Sequence, residues 1–283
     1  MYDVAIIGGG AAGVSAAITL QALKKNVIWF ADKNLSAKIR KAELIQNYPG
    51  LSAITGEDFA SALSAHAAEM GLKPTEKTVT GVYALGSYFA LACDKETFEA
   101  KTVILATGVE AIKPVRGELE LLGRGVSYCA TCDGFLYKGK TIAVVATAKE
   151  FEHEVEYLAQ IAEKVYFTAL YKEVGKLADN VERVVGVPLA VEGEKKANAL
   201  VFKDKRLEVD GVFFLKSAIT PSALVPGLEM EEGHVKVDRA CKTNLSGLFA
   251  AGDCTGKPYQ YAKAVGEGNV AAHAVVKYLA ENK

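Results

Sequence analysis

The chain has 283 residues with 33 Lys and Arg against 34 Asp and Glu, a formal net charge of −1. That length gives one large or two medium domains with a full core, and a composition that is 50% hydrophobic and 24% charged excludes a mainly disordered chain. Balanced charge excludes the basic footprint of a nucleic-acid binder, and five Cys are too few for a disulfide-built secreted scaffold, so a cytoplasmic α/β protein is expected.

Residues 4–23 carry no charge and are long enough to suggest a membrane span or signal peptide. Only Asp3 precedes them as a charge, and Gly8, Gly9, Gly10 and Gly13 fall where an apolar helix would break. The run therefore predicts a buried strand from Val4 to Ile7, a glycine turn and a helix, with no membrane segment. Gly8-x-Gly10-x-x-Gly13, with Ala11 and Ala12 opening the helix, is a dinucleotide fingerprint. Its glycines allow a tight turn, backbone approach to a pyrophosphate, and close helix–strand packing. Val27 to Phe30 is the expected second strand, which places Ala31 where a ribose-binding acid belongs and Asp32 one residue late. Lys33, Lys38, Arg40 and Lys41 follow as the densest basic cluster.

Thr102 to Leu105 is a strand ending in the small-residue turn Ala106-Thr107-Gly108. Cys129-Ala130-Thr131-Cys132 has redox spacing: a thiol at a helix N-terminus is favoured as thiolate, and the pair closes a small reducible ring. Half a zinc site is the alternative, but no second C-x-x-C exists and His66, His153, His234 and His273 form no ligand pair, so no metal is expected. Asp133 stands beside the dithiol, where exchange chemistry needs a proton donor and acceptor. Cys93 and Cys241 are expected to be buried, and Cys254 to lie near the nucleotide site. Strands are predicted at Thr141 to Val145 and Val165 to Ala169, with a helix from about Lys149 to Glu163 between them. Gly247 to Asp253 is a further strand and turn, then a helical stretch runs from about Tyr259 to Glu281. Asp253 sits where ligands bind in open α/β sheets, and equally where a carboxylate caps a turn.

Gly8–Gly13, Asn47-Tyr48-Pro49-Gly50, Ala106-Thr107-Gly108, the segment Gly123 to Gly134 with its CATCDG, and Gly252-Asp253 stand in the order and spacing of the low-molecular-weight thioredoxin reductases. The chain resembles that family over nearly its whole length. The resemblance implies two Rossmann-like domains of the FAD/NAD(P)-binding type, the second inserted in the first. The FAD domain would comprise 1–113 and 236–283, and a dithiol-bearing insert 114–235, joined at Lys113 to Glu118 by a segment of linker composition. By the same resemblance Cys132 faces the flavin and Cys129 attacks the partner disulfide. Asp133 is the general acid/base, Asp253 holds a ribityl hydroxyl of FAD, and Asn47 lies near the isoalloxazine. A homodimer is the family expectation.

The insert departs from the family where its NADPH fingerprint belongs. Ala146-Thr147-Ala148 replaces a Gly-x-Gly turn, the following helix opens with Glu150, Glu152 and Glu154, and Leu170-Tyr171-Lys172-Glu173 replaces a His-Arg-Arg run. Side chains obstruct pyrophosphate, carboxylates repel it, and a lone Lys lacks bidentate phosphate geometry. NADPH is therefore not expected. The chain resembles most the ferredoxin-dependent flavin thioredoxin reductases of clostridial type, implying ferredoxin as a donor of single electrons and thioredoxin as acceptor. The open alternatives are an NADPH enzyme with an atypical site, a flavin disulfide reductase with another donor and target, and a non-turning redox sensor. Residues 114–235 hold 15 Lys and Arg against 19 Asp and Glu, so the flavin domain is net +3 and the insert −4. An acidic ferredoxin is thus expected on the flavin domain, near the basic cluster.

Overall fold

A computed structural model describes residues 1–40, 42–93, 96–109, 114–216 and 219–282. The chain divides into two compact units, Met1–Glu110 with Thr220–Lys283, and Ala111–Ile219. Residues 220–235 thus group with the first unit rather than with the insert. Among the described residues no helix is long and apolar enough to cross a membrane.

The first unit opens with β1 (Tyr2–Ile7), α1 (Ala11–Ala22) and β2 (Val27–Phe30), followed by α2 (Ala37–Arg40) and α3 (Gly56–Glu69). A hairpin follows from β3 (Gly81–Ala84) and β4 (Phe89–Cys93), and then β5 (Glu96–Leu105). Strand order is β2-β1-β5-β4-β3. Val4 to Ile7 are buried throughout, as a strand covered on both faces must be. The turn into α1 is forced tight: a Cβ on Gly13 would overlap the Gly8 carbonyl, so only glycine lets the helix close on the strand. Thr55 caps α3, its hydroxyl accepting from Asp58 N–H at 3.1 Å.

In the second unit β6 (Val126–Ser127) leads to α4 (Ala130–Asp133) and β7 (Thr141–Ala146), then α5 (Glu152–Ala159), β8 (Lys164–Ala169) and β9 (Val181–Arg183). A meander of β10 (Ala190–Glu192), β11 (Ala199–Val201) and β12 (Arg206–Glu208) precedes β13 (Gly211–Leu215). The parallel sheet runs β6-β13-β7-β8-β9 and the meander forms its own antiparallel sheet. Alternation divides the core: Ile142, Val144, Phe213 and Leu215 face Val155 and Leu158 of α5, while Ala143, Val145, Val212 and Phe214 face Leu200 and Phe202. Burying each Phe contributes about 1.5–3 kcal/mol.

The expected helix over 149–163 is shorter than its pattern. Lys149–Phe151 form a 3-10 turn and α5 ends at Ala159, where Asn180 Nδ2 donates to the carbonyls of Ala159 (2.8 Å) and Ala162 (3.1 Å). That side chain satisfies helix-end acceptors from a distant loop.

The chain returns through α6 (Pro221–Leu224), the hairpin of β14 (Met230–Glu231) and β15 (His234–Val235), β16 (Leu248–Ala250) and α7 (Tyr261–Glu281). β16 pairs parallel with the second half of β5, whose first half pairs with β4. Small residues let α7 lie on α1: Ala12, Ala16, Ala264, Ala271 and Ala272 are all buried there.

Candidate functional site

In the first unit β1, β2, β5 and β16 are neighbouring strands whose C-terminal ends share one edge, the place where open α/β sheets take ligands. That edge gathers Gly8, Gly10, Ala11, Ala12 and Gly13, the turn Ala106-Thr107-Gly108, and Gly252-Asp253. Gly10 and Gly108 face open space: a Cβ at either would meet nothing within 4 Å. Thr107 Oγ1 is buried and lacks a hydrogen-bond partner among the described residues; the buried Cys254 thiol beside it is a weak acceptor at best. An unpaired buried hydroxyl costs free energy that a ligand oxygen or nitrogen would recover, so the edge fits a dinucleotide.

Asp253 is half-buried. Burial pushes its carboxyl up, Lys263 and Lys38 oppose that, and Glu267 adds to it. The Gly252-Asp253 turn is braced by residues that sequence reasoning missed. Lys263 Nζ donates to Gly252 O, Thr255 Oγ1 and Glu267 Oε2, each at 3.0 Å, and Glu267 Oε2 accepts from Gly252 N–H at 2.8 Å. Their i,i+4 spacing was visible; their convergence on Gly252 was not. Asp32 does not point to a ribose role by its contacts, since Oδ1 accepts from Asn34 N–H (2.7 Å) within its own turn. Asn47 Nδ2 donates to Gln260 Oε1 at 2.6 Å, tying its loop to the start of α7. The Tyr48 ring meets Phe59 at a tilt and Phe59 meets Tyr261 edge-on, at centroid separations of 4.9 and 5.5 Å, which holds the same junction. Trp29 Nε1 donates to Gly8 O at 2.9 Å beneath the glycine turn.

The basic cluster is partly consumed by the fold. Lys38 Nζ donates to Val109 O, and Arg40 pairs with Glu57 and donates to Asn34 O; Lys41 lies outside the described residues.

In the second unit Cys129 and Cys132 form a disulfide. Cys129 caps α4, and Cys132 N–H donates to Cys129 Sγ at 3.1 Å, an arrangement that favours a thiolate once the bond opens. Asp133 closes α4, and its Oδ2 accepts from Ser127 Oγ at 2.6 Å. Tyr137 behind it is buried, and its hydroxyl is pushed up first by burial and then by Asp133. Cys93, Cys241 and Cys254 are buried outside the disulfide, and burial raises the Cys241 and Cys254 thiols to about 12 and about 11, keeping them protonated and inert at neutral pH.

The loop after β7 is closed by the chain itself. Thr147 N–H donates to Leu215 O at 3.0 Å, so it is turned to a neighbouring strand. Glu152 Oε1 accepts from Tyr171 OH (2.8 Å) and Gly175 N–H (3.0 Å). The Gly175 amide, helped by Tyr171 and Lys149, holds the Glu152 carboxyl below its ordinary value. The Tyr171 hydroxyl is raised by burial and by Glu152.

The chain matches the family described as pyridine nucleotide-disulphide oxidoreductase over residues 2–268. It is 34% identical to the thioredoxin reductase of Helicobacter pylori strain J99 over 310 aligned positions, covering 99% of each chain. Its structure is similar to that of a ferredoxin-flavin thioredoxin reductase from Clostridium acetobutylicum, with a TM-score of 0.89 and 48% identity over 99% of this chain and 98% of that one. A thioredoxin reductase from Gloeobacter violaceus gives 0.76 and 27%, covering 100% and 95%.

Proposed function

Since this chain belongs to the pyridine nucleotide-disulphide oxidoreductase family and is a homologue of the thioredoxin reductases, we propose that it reduces thioredoxin with electrons from reduced ferredoxin. FAD would be held in the β1–α1 cradle and the electron pair carried on the Cys129–Cys132 dithiol. The family implies flavin. The observation that carries the choice of donor is the pairing of an intact dithiol with a nucleotide loop sealed by Thr147, Glu152 and Tyr171. A carboxylate anchored by the Gly175 amide disfavours a phosphate there. Similarity to the C. acetobutylicum enzyme supports the same donor.

FAD, when bound, supplies the chemistry that turns single electrons into a pair. Gly8, Gly10, Ala11, Ala12 and Gly13 are assigned to its pyrophosphate, with Ala106, Thr107, Gly108, Gly252, Asp253 and Asn47 lining the rest; Asp32, engaged within its own turn, is given no ribose contact. NADPH is excluded. On the insert, two electrons and two protons open the disulfide. The Cys129 thiolate then attacks the thioredoxin disulfide; one S–S bond forms, another breaks, and the departing sulfur takes its proton from Asp133. The Cys132 thiolate attacks Cys129 in the mixed disulfide, restoring the internal bond and releasing the second thioredoxin thiol, which takes the second proton. Cys129 is 7% exposed, so it must be uncovered for attack on a protein disulfide. As the structure divides the chain, residues 1–110 with 220–283 hold 17 Lys and Arg against 18 Asp and Glu, so the net charge of this unit favours no acidic donor, and the docking proposal rests on the local cluster at 33–41, on a dimer of the family type.

The test is anaerobic mixing of oxidised, FAD-loaded protein with reduced ferredoxin or with excess NADPH, followed by flavin absorbance. Ferredoxin is expected to bleach the flavin and to drive thioredoxin reduction, while NADPH leaves it oxidised. Rapid bleaching by NADPH defeats the proposal.

A further inference from the structure

Ser127 is buried on β6 and its hydroxyl meets three groups of the dithiol loop. Oγ lies 2.6 Å from Asp133 Oδ2, accepts from Cys129 N–H at 3.1 Å, and is 3.2 Å from Cys129 O. A serine hydroxyl has one hydrogen and two lone pairs. One lone pair is held by Cys129 N–H, which fixes the oxygen. The hydrogen has two places to go, and among the described residues the donor facing the remaining lone pair is a protonated Asp133.

From this we infer that Ser127 is a positioning residue that keeps Asp133 hydrogen-bonded in both of its protonation states. With Asp133 neutral, its O–H donates to Ser127 Oγ and Ser127 donates to Cys129 O. In exchange, Cys129 Sγ bonds to one sulfur of the partner disulfide, the partner's S–S bond breaks with its electron pair on the departing sulfur, and that sulfur takes the Asp133 proton. Asp133 is then a carboxylate, and the Ser127 hydrogen swings to Oδ2. Cys129 O keeps the Asp133 N–H at 3.3 Å. No buried group loses all its partners, so the proton leaves without an unsatisfied acceptor being created.

The inference rests on Asp133 being the proton donor of the proposed reaction, and the experiment separates the two. FAD-loaded wild type, Ser127→Ala, Ser127→Thr and Asp133→Asn are reduced with dithiothreitol, desalted anaerobically, and mixed in single turnover with oxidised thioredoxin or with dithiobis(nitrobenzoate). The aryl thiolate leaves without needing a proton, whereas an alkyl thiolate is a poor leaving group. Ser127→Ala is expected to slow the thioredoxin reaction roughly tenfold, a fraction of what a general acid supplies. The aryl disulfide rate should stay within about twofold, and Ser127→Thr should restore the thioredoxin rate. Equal slowing with both disulfides, or no slowing with either, overturns the inference. An unchanged thioredoxin rate in Asp133→Asn removes the proton-donor assignment itself.

Discussion

Asp253 shows how a single carboxylate serves opposing ends. Its pKa is raised chiefly by burial, against the pull of Lys263 and Lys38. An acid raised in the folded state lowers stability as pH climbs from its unfolded value through its folded one, and the loss persists at neutral pH. Asp253→Asn should therefore raise the thermal midpoint of flavin-free protein at pH 7, with the gain shrinking towards about pH 4, near the unfolded carboxyl value. The same variant should weaken FAD retention about tenfold to a hundredfold if a charge-strengthened hydrogen bond is lost, measured by flavin release on dilution. From the sequence Asp253 was equally a turn cap, because Gly-Asp after a strand suits both. Lys263 and Glu267 were illegible as partners, since their target lies across a turn that only folding closes.

Strands were the most legible elements. Val27–Phe30 falls where the apolar run places it, and β7 and β8 extend theirs by one residue each, because parallel strands buried on both faces read as continuous hydrophobic runs. Helix α5 was overextended, since its apolar spacing continues to Ala162 while the capping side chain of Asn180 comes from beyond β8. Departures from Gly-x-Gly and His-Arg-Arg were visible, but the closure by Glu152 was not. Replacing it with Gln should cost about 1 kcal/mol at neutral pH, as two charge-assisted bonds are weakened on a partly exposed side chain. Because the Glu152 carboxyl is held low in the fold, its contribution is present above the unfolded value and is lost as pH falls through the folded one. Denaturant midpoints of the two proteins should therefore converge under acid. A constant gap would show that the charge is irrelevant.

At the scale of the molecule, linker composition at 113–118 concealed a buried charge. Lys113 lies outside the described residues, but Glu118 is 0% exposed and accepts from Lys216 Nζ and Tyr128 OH at 2.6 Å each and from Val115 N–H at 2.9 Å. Lys216 also lies over the rings of Phe214 and Tyr128, 5.2 and 5.6 Å from their centroids. The pair joins the incoming and outgoing segments of the second unit, and Tyr128, the residue before Cys129, touches both members. Removing one member takes from the other the opposite charge it faces at 2.6 Å in the core. Glu118→Gln or Lys216→Met alone should cost about 3–5 kcal/mol, whereas the double variant should cost less than the sum, with strong coupling in a double-mutant cycle read by denaturant unfolding. Simple additivity would mean that the two charges do not depend on one another. Pro, Gly and charge in sequence read as a linker between domains. They carried no information on exposure, because an ion pair separated by 98 residues in sequence buries both members at once.

Trp29 is the sole tryptophan of the chain, and its indole N–H is fixed to the Gly8 carbonyl beneath the glycine turn. At 2% exposure it is shielded from solvent quenchers. The protein thus has a built-in fluorophore at the glycine turn between β1 and α1, free of interference from any second indole. Its emission comes from that one position, and the twelve tyrosines absorb too far to the blue to obscure it under long-wavelength excitation.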